Sequence, residues 1–223
     1  MLVTGYLEQT NFLGDSLMSA LSKIKHIILF EMILIFFSSV VMSETAEKTN
    51  VALRTSQGDI IIELYSDKAP VTVTNFLRHL DEGFYDGSSF YRTVTIENDN
   101  GSPKIEVIQG GIGDRIKPFS AIKHESTDIT GLSHIDGTIS MSRYEVDTAT
   151  SDFFICIGDH EGLDFGGTRN KDGLGFSAFG RVILGMDIVR KINLLPSEKK
   201  TENIYVQGQM LNNPVMIYKA ERL

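Results

Sequence analysis

From Val51 to the C-terminus the sequence is cut into eight short β-type runs bounded by turn residues, with only two stretches of helical period between them. That cadence constrains the fold more than any other feature. Val51, Leu53 and Thr55 alternate with Ala52 and Arg54, Gln57-Gly58-Asp59 supplies turn chemistry, and Ile60, Ile62 and Leu64 resume the alternation, which reads as a hairpin. Pro70 starts a helix, and Val73, Phe76, Leu77 and Leu80 fall at i, i+3, i+4 and i+7 on one apolar face that stops near Gly83. Further β-type runs occupy Ser89 to Val94, Ile105 to Gln109, Thr138 to Ser142, Phe153 to Ile157, Ser177 to Val182 and Val215 to Ala220. Ile188, Val189 and Ile192 mark a second amphipathic helix ending before Pro196. The expected fold is mainly β, a closed eight-stranded antiparallel barrel capped by two α-helices, because closure removes the exposed strand edges that an open sheet would leave.

The segments between these runs exclude several chemistries. Thr95 to Lys104, Gly113 to His134 and Gly162 to Gly175 are long and rich in Gly, Asp, Asn and Ser, and loops of that length in a compact domain are functional or peripheral. The last of them has no Gly-Lys-Ser/Thr ending, so it is not a phosphate cradle, and Asn170-Lys171-Asp172-Gly173 lacks the spacing and distal Glu of a calcium loop. His124, His134 and His160 show no metal-ligand spacing and read as surface or loop hydrogen-bonding residues. Ser140 has no Gly-x-Ser-x-Gly context, which argues against a hydrolase. Cys156 is the only cysteine and sits in an apolar run, so it reads as a buried packing thiol, with no internal disulfide and no thiolate-rich metal site. A net charge of -8, with no basic cluster longer than Lys199-Lys200, makes nucleic acid an unsuitable partner.

The N-terminus follows a different logic. Lys23 and Lys25 precede Ile27-Ile28-Leu29-Phe30, then Glu31, then the uncharged run Met32 to Met42, the order of a secretory signal. Val41 and Ser43 are small enough for cleavage after Ser43. The expected organisation is a signal peptide over 1–43, with translation starting at Met18, a polar linker over 44–50 and one domain over 51–223. The mature protein would be exported, to the periplasm, and remain acidic with 26 acidic and 19 basic residues. The 16 residues from Ile27 to Met42 are short against the ~20 of a membrane span, so a retained tether is the alternative to cleavage. The absence of a cysteine near position 43 excludes a lipid-modified N-terminus.

Nine blocks then stand in an order that resembles the signature blocks of cyclophilins. They are Asp67-Lys68-Ala69-Pro70, Asn75-Phe76-Leu77, Gly83-Phe84-Tyr85-Asp86-Gly87, Phe90-Tyr91-Arg92, Gln109-Gly110-Gly111, Gly137-Thr138-Ile139-Ser140-Met141, Ser151-Asp152-Phe153-Phe154-Ile155, Gly180-Arg181-Val182 and Gly185-Met186-Asp187-Ile188-Val189. Leu163-Asp164-Phe165-Gly166-Gly167 resembles the bacterial members with a longer loop there. The resemblance implies a peptidyl-prolyl cis-trans isomerase, acting without cofactor or metal, as a monomer, on X-Pro segments of folding proteins. A barrel of the same fold that only binds proline peptides, or serves as a chaperone, is the alternative.

The chemistry asks for little apparatus. Rotation about the partial double bond has a barrier of ~18–20 kcal/mol, and at the twisted midpoint the proline nitrogen regains a lone pair. An apolar slot for the ring, hydrogen bonds that orient the chain and a fixed donor aimed at that nitrogen suffice. By resemblance, Arg92 is the catalytic arginine, whose forked donors suit this task, and Gln109 is the glutamine that positions it. Val107, on the same strand face as Gln109, would line the proline slot with Phe154, Leu163 and Phe176. Without the resemblance these four read as ordinary core, and Arg92 as a solvent-facing strand residue.

Some positions depart from the family pattern. Arg143 replaces an asparagine whose backbone contacts substrate, Asp152 replaces a glutamine, and both are counted as substrate-binding positions. Glu106 stands where many members place a phenylalanine of the slot, and Phe176 where a histidine is frequent. Gly162 stands where animal members carry a tryptophan that contacts cyclosporin, which implies poor binding of that drug.

Overall fold

A computed structural model describes residues 49–223; the signal peptide expected over 1–43 lies outside the described residues. Eight strands, β1 (Thr49–Thr55), β2 (Gly58–Leu64), β3 (Ser88–Val94), β4 (Val107–Gly111), β5 (Thr138–Met141), β6 (Phe153–Cys156), β7 (Ser177–Leu184) and β8 (Met210–Arg222), close in the order β1-β2-β7-β5-β6-β4-β3-β8. Every ladder is antiparallel, and β8 returns to pair with β1. The two expected helices are α1 (Pro70–Asp81) and, further on, Met186–Asn193; a one-turn helix, Thr127–Thr130, stands between them in a segment read as loop. In chain order these last two are α2 (Thr127–Thr130) and α3 (Met186–Asn193).

The period-2 alternation has the expected meaning. Ile60, Ile62 and Leu64 are buried in the barrel core while Asp59 is exposed. Helix α1 sends Phe76 into the same core, with its ring centroid 5.0 Å from Tyr85, 5.6 Å from Phe153 and 5.3 Å from Phe179. The face read from i, i+3, i+4, i+7 spacing is therefore the face that closes the barrel. No side chain of its own caps α1; the carboxylate of Glu125, from the long loop after β4, accepts the amide hydrogens of Val71 and Thr72 at 3.0 and 2.8 Å. A remote carboxylate thus satisfies orphan donors at the positive end of the helix. Helix α3 packs Val189 and Ile192 against β2, β3 and β4.

Of the boundaries that differ from the sequence reading, three have a clear physical reason or consequence. β1 begins at Thr49, so the last two residues of the expected linker, Thr49 and Asn50, pair with Leu64 and Glu63. β4 begins at Val107 and not at Ile105, because the Ile105 amide donates to Asp99 Oδ2 (2.9 Å) and the Glu106 amide to His160 Nε2 (3.0 Å), which takes both out of the ladder. β8 begins at Met210, upstream of Pro214. Its pairing to β3 jumps from Phe90↔Val215 to Arg92↔Met210, so Pro214 lies in a bulge where its missing N–H leaves no ladder bond unmade.

Candidate active site

One irregularity in β3 creates the site. Phe90 pairs with Gly110 and Arg92 pairs with Gln109, so Tyr91 is an extra, bulged residue. Without it Arg92, two residues after the fully buried core ring of Phe90, would point into the barrel. With it the parity of the strand inverts, and Arg92 emerges on the outer face beside Gln109. Gly110 permits the close pairing: a Cβ there would lie 2.9 Å from both Phe90 Cδ1 and the Ser89 carbonyl.

The guanidinium is held on two sides. Arg92 Nη1 donates to Gln109 Oε1 at 2.7 Å, while Nε and Nη2 both donate to Gln209 Oε1 at 3.0 and 2.6 Å. Its central carbon stands 5.7 Å from the ring centroid of Tyr205. Burial lowers the Arg92 pKa from its ordinary value, and the neighbouring Tyr205 and Tyr91 act the other way. Gln109 is fixed in turn, because its Nε2 donates to Tyr91 Oη at 2.9 Å and that hydroxyl donates to Asp152 Oδ2 at 2.6 Å. Burial pushes the Tyr91 phenol well above its usual range, and the Asp152 charge adds to the shift, so Tyr91 stays a donor to the carboxylate.

Beside this network lies an apolar cluster separate from the barrel core. Val94, Ile105, Val107, Phe154, Cys156 and Leu163 are buried together, with Phe176 packed against them. Phe154 and Phe176 meet edge to face at 5.4 Å, and Phe154 lies directly opposite Gln109 across β4–β6. The four apolar residues expected to line a slot are therefore brought together, next to the Arg92–Gln109 pair. Burial raises the Cys156 thiol pKa well above its usual range, in keeping with a packing role.

The remaining expected positions fall around the rim. Asp152 reaches the site through Tyr91. Arg143 is committed elsewhere: its guanidinium bonds Asp172 at 2.7 and 3.0 Å and the Gly175 carbonyl at 2.9 and 2.6 Å, and stands over Phe176 at 5.4 Å. It ties down the 162–175 loop and pulls the Asp172 carboxyl to about 2, chiefly through their hydrogen bonds. Glu106 takes part through its backbone, accepting the Ile157 amide at 2.9 Å. At Gly162 a Cβ would overlap the Pro103 ring.

Sequence reasoning overlooked three contributors. Gln209 and Tyr205 lie more than 100 positions from Arg92, on the segment entering β8, and carry no local signal. His134, read as a loop residue, is almost fully buried, and its ring stacks on Phe154 with centroids 5.9 Å apart and planes at 15°. His134 Nδ1 donates to Asp164 Oδ1 at 2.6 Å and Nε2 accepts from Ser140 Oγ at 2.9 Å. Those spacings are triad-like, yet the Ser140 side chain is sealed from solvent, so no substrate carbonyl can reach it. A hollow of about 780 Å³ lined by Pro103, His134, Gly162 and Asp164 lies apart from the Arg92 network: neither Arg92 nor Gln109 contributes to its wall.

A family model described as cyclophilin type peptidyl-prolyl cis-trans isomerase matches residues 50–221. Peptidyl-prolyl cis-trans isomerase A of Dickeya dadantii is 36% identical over 177 residues, covering 78% of this chain and 84% of that protein. Peptidyl-prolyl cis-trans isomerase B of Escherichia coli is 39% identical over 147 residues, covering 64% and 82%. Among solved structures, a cyclophilin type isomerase of Cryptosporidium parvum superposes with a TM-score of 0.61 at 20% identity, covering 79% of this chain and 98% of its own, a likeness of fold. A second structure of that protein was obtained in the presence of the dipeptide Ala-Pro.

Proposed function

This chain belongs to the cyclophilin-type peptidyl-prolyl cis-trans isomerases and is an enzyme of that kind, and we propose that it accelerates X-Pro rotation in proteins folding outside the cytoplasm, with Arg92 as donor to the twisted bond. The observation that carries the reading is the parity inversion at Tyr91, which sets an immobilised guanidinium beside the Phe154 cluster. Of the five N–H donors of an arginine, one on Nη1, one on Nη2 and Nε are spent on Gln109 and Gln209. The two that remain, one on each terminal nitrogen, are left for a substrate.

The catalytic sequence follows from that arrangement. The proline ring enters among Val107, Phe154, Leu163 and Phe176, which removes apolar surface from water and holds the ring while the preceding carbonyl turns. As conjugation breaks, the nitrogen becomes pyramidal and gains basicity, and an Arg92 N–H that binds it weakly in the planar state binds it strongly at the midpoint. No proton is transferred and no bond is broken. Partial burial strengthens the interaction, since the guanidinium is shielded from water and stays charged. The crystal structure of the C. parvum protein in the presence of the dipeptide Ala-Pro is in keeping with X-Pro segments as the ligand class.

Export is supported by the order Lys23, Lys25, Ile27–Phe30, Met32–Met42. The test is cis-to-trans exchange of a short X-Pro peptide by the purified protein, with the expressing cells fractionated and the recovered N-terminus sequenced. Acceleration, with a mature N-terminus near Glu44 outside the cytoplasm, is the expected result. Peptide binding without acceleration would favour the binding module instead, and an intact N-terminus in the membrane fraction would favour a tether.

A further inference from the structure

We propose that Gln209 is a positioning residue for Arg92, and that the Thr95–Lys104 segment between β3 and β4 serves to hold Gln209 in place; this rests on the reading of Arg92 as the donor. Gln209 Oε1 accepts from both Nε and Nη2 of Arg92, so it grips the lateral edge of the guanidinium, while Gln109 takes only Nη1. A single acceptor on Nη1 would leave the fork free to pivot. The second acceptor, on a different edge, fixes the plane.

The amide of Gln209 has only one usable orientation. Its Nε2 donates to the Asn98 carbonyl at 2.8 Å, which forces Oε1 toward Arg92, and the side chain is fully buried. Asn98 belongs to the 95–104 segment and is itself pinned: Nδ2 donates to the carbonyls of Thr93 (3.3 Å) and Gly208 (3.1 Å), and Oδ1 accepts the Thr95 amide at 2.8 Å. One residue further, Asp99 is buried in a bidentate pair with Arg169 at 2.7 and 2.8 Å and accepts the amides of Gly101 and Ile105 at 2.9 Å each. Burial alone would raise the Asp99 pKa, but Arg169 and the two amides bring it below the usual carboxylate range. Arg169 also donates to Tyr205 Oη at 3.0 Å, setting the ring that flanks Arg92. The loop and the segment entering β8 are thus tied to each other, and both to the outer edge of Arg92.

The experiment is a double-mutant cycle on peptide exchange with the full chain, comparing wild type, Gln209→Met, Arg92→Ala and the double variant, with ¹⁵N-resolved solvent exchange of the Arg92 Nε–H as a second readout. Met keeps the length of Gln209 and removes its acceptor and donor. Gln209→Met should lower kcat at least tenfold with KM within about threefold, expose Nε–H to faster exchange, and have no further effect in the Arg92→Ala background. Wild-type kcat in a folded Gln209→Met protein, or an equal loss in the Arg92→Ala background, overturns the positioning role. Wild-type activity of Arg92→Ala itself would overturn the catalytic reading and this proposal together, which separates the two failures. Should Gln209→Met fail to fold, Gln209→Glu keeps an acceptor on the Nε edge. It should retain slow Nε–H exchange and more activity than Arg92→Ala; loss of both overturns the proposal.

Discussion

Arg92 Nη1 lies 2.7 Å from Gln109 Oε1 across β3–β4, although Arg92 is only two residues from Phe90, whose ring is wholly inside the barrel. Two residues on a regular strand share a face; these do not, because Tyr91 is bulged. The same bulge that frees the guanidinium from the core also surrounds it with fixed acceptors. Removing one preorganised donor of this kind typically lowers rates by ~10²–10³. Arg92→Ala should therefore lose that much in kcat/KM while staying folded, with a thermal midpoint lowered because the buried Gln209 acceptor loses its donors, and Arg92→Lys should recover little, since one ammonium cannot serve both glutamines and the substrate. Peptide exchange kinetics beside thermal unfolding check both; wild-type rates in a folded Arg92→Ala protein would refute the mechanism.

Tyr91→Phe probes the other end of the network. The hydroxyl accepts from Gln109 Nε2 and donates to Asp152, so it selects which end of the Gln109 amide faces Arg92. Its loss leaves Asp152 without that donor and lets the amide turn. A fall in kcat of about tenfold with KM nearly constant is expected, and steady-state kinetics that show a change in KM alone would contradict it.

Phe154→Ala separates binding from rotation. The ring is 6% exposed and is packed between His134 and Phe176. Its removal should cost ~3–5 kcal/mol of stability, as truncating a buried aromatic does, and should raise KM for X-Pro peptides. Urea unfolding and peptide titration measure the two effects. A variant with normal KM would show that the ring is core and not slot.

Stability should fall on mild acidification. Burial lowers the pKa of His134, against a partial opposing effect from Asp164, and likewise lowers that of His79. Below the unfolded-chain value of ~6.5 the unfolded state takes up protons that the folded state refuses, so stability is fully present above that pH and declines as pH drops. Asp172, held at about 2, and the other depressed carboxylates act below this window. Urea midpoints at pH 7.5 and 5.5 should differ, with the lower midpoint at pH 5.5, and His134→Gln should shrink the difference. Equal midpoints would count against it.

Gly162 gives a steric prediction. A Cβ at this position would overlap Pro103, whose carbonyl also accepts from Arg169 Nη1 at 2.8 Å. Cyclosporin should inhibit the wild type poorly, and Gly162→Trp should destabilise the protein without creating tight inhibition, because Pro103 occupies the space the indole needs. Drug titration of the exchange reaction decides it; inhibition at drug concentrations near that of the enzyme would contradict the placement of this loop.

The barrel was legible because its rules are local. Period-2 runs such as Ile60-Ile62-Leu64 and the i, i+3, i+4, i+7 face of Val73, Phe76, Leu77 and Leu80 report which side of an element meets a core, and that is settled within a few residues. Resemblance of the ordered blocks added Arg92, Gln109 and the apolar positions around Phe154, and these do converge. Residue type alone reads Arg92 as solvent-facing, while strict alternation from the buried Phe90 would set it on the core face; the bulge at Tyr91 that reconciles the two exists only through pairing with β4 and β8. Gln209, Tyr205 and His134 were silent for the same reason. They act across 20 (His134 to Phe154) to 117 (Gln209 to Arg92) positions of chain, through stacking or hydrogen bonds that a one-dimensional pattern does not encode. The strand pattern fixed what must be buried, and the closure of the barrel decided which buried or half-buried polar groups meet around one guanidinium.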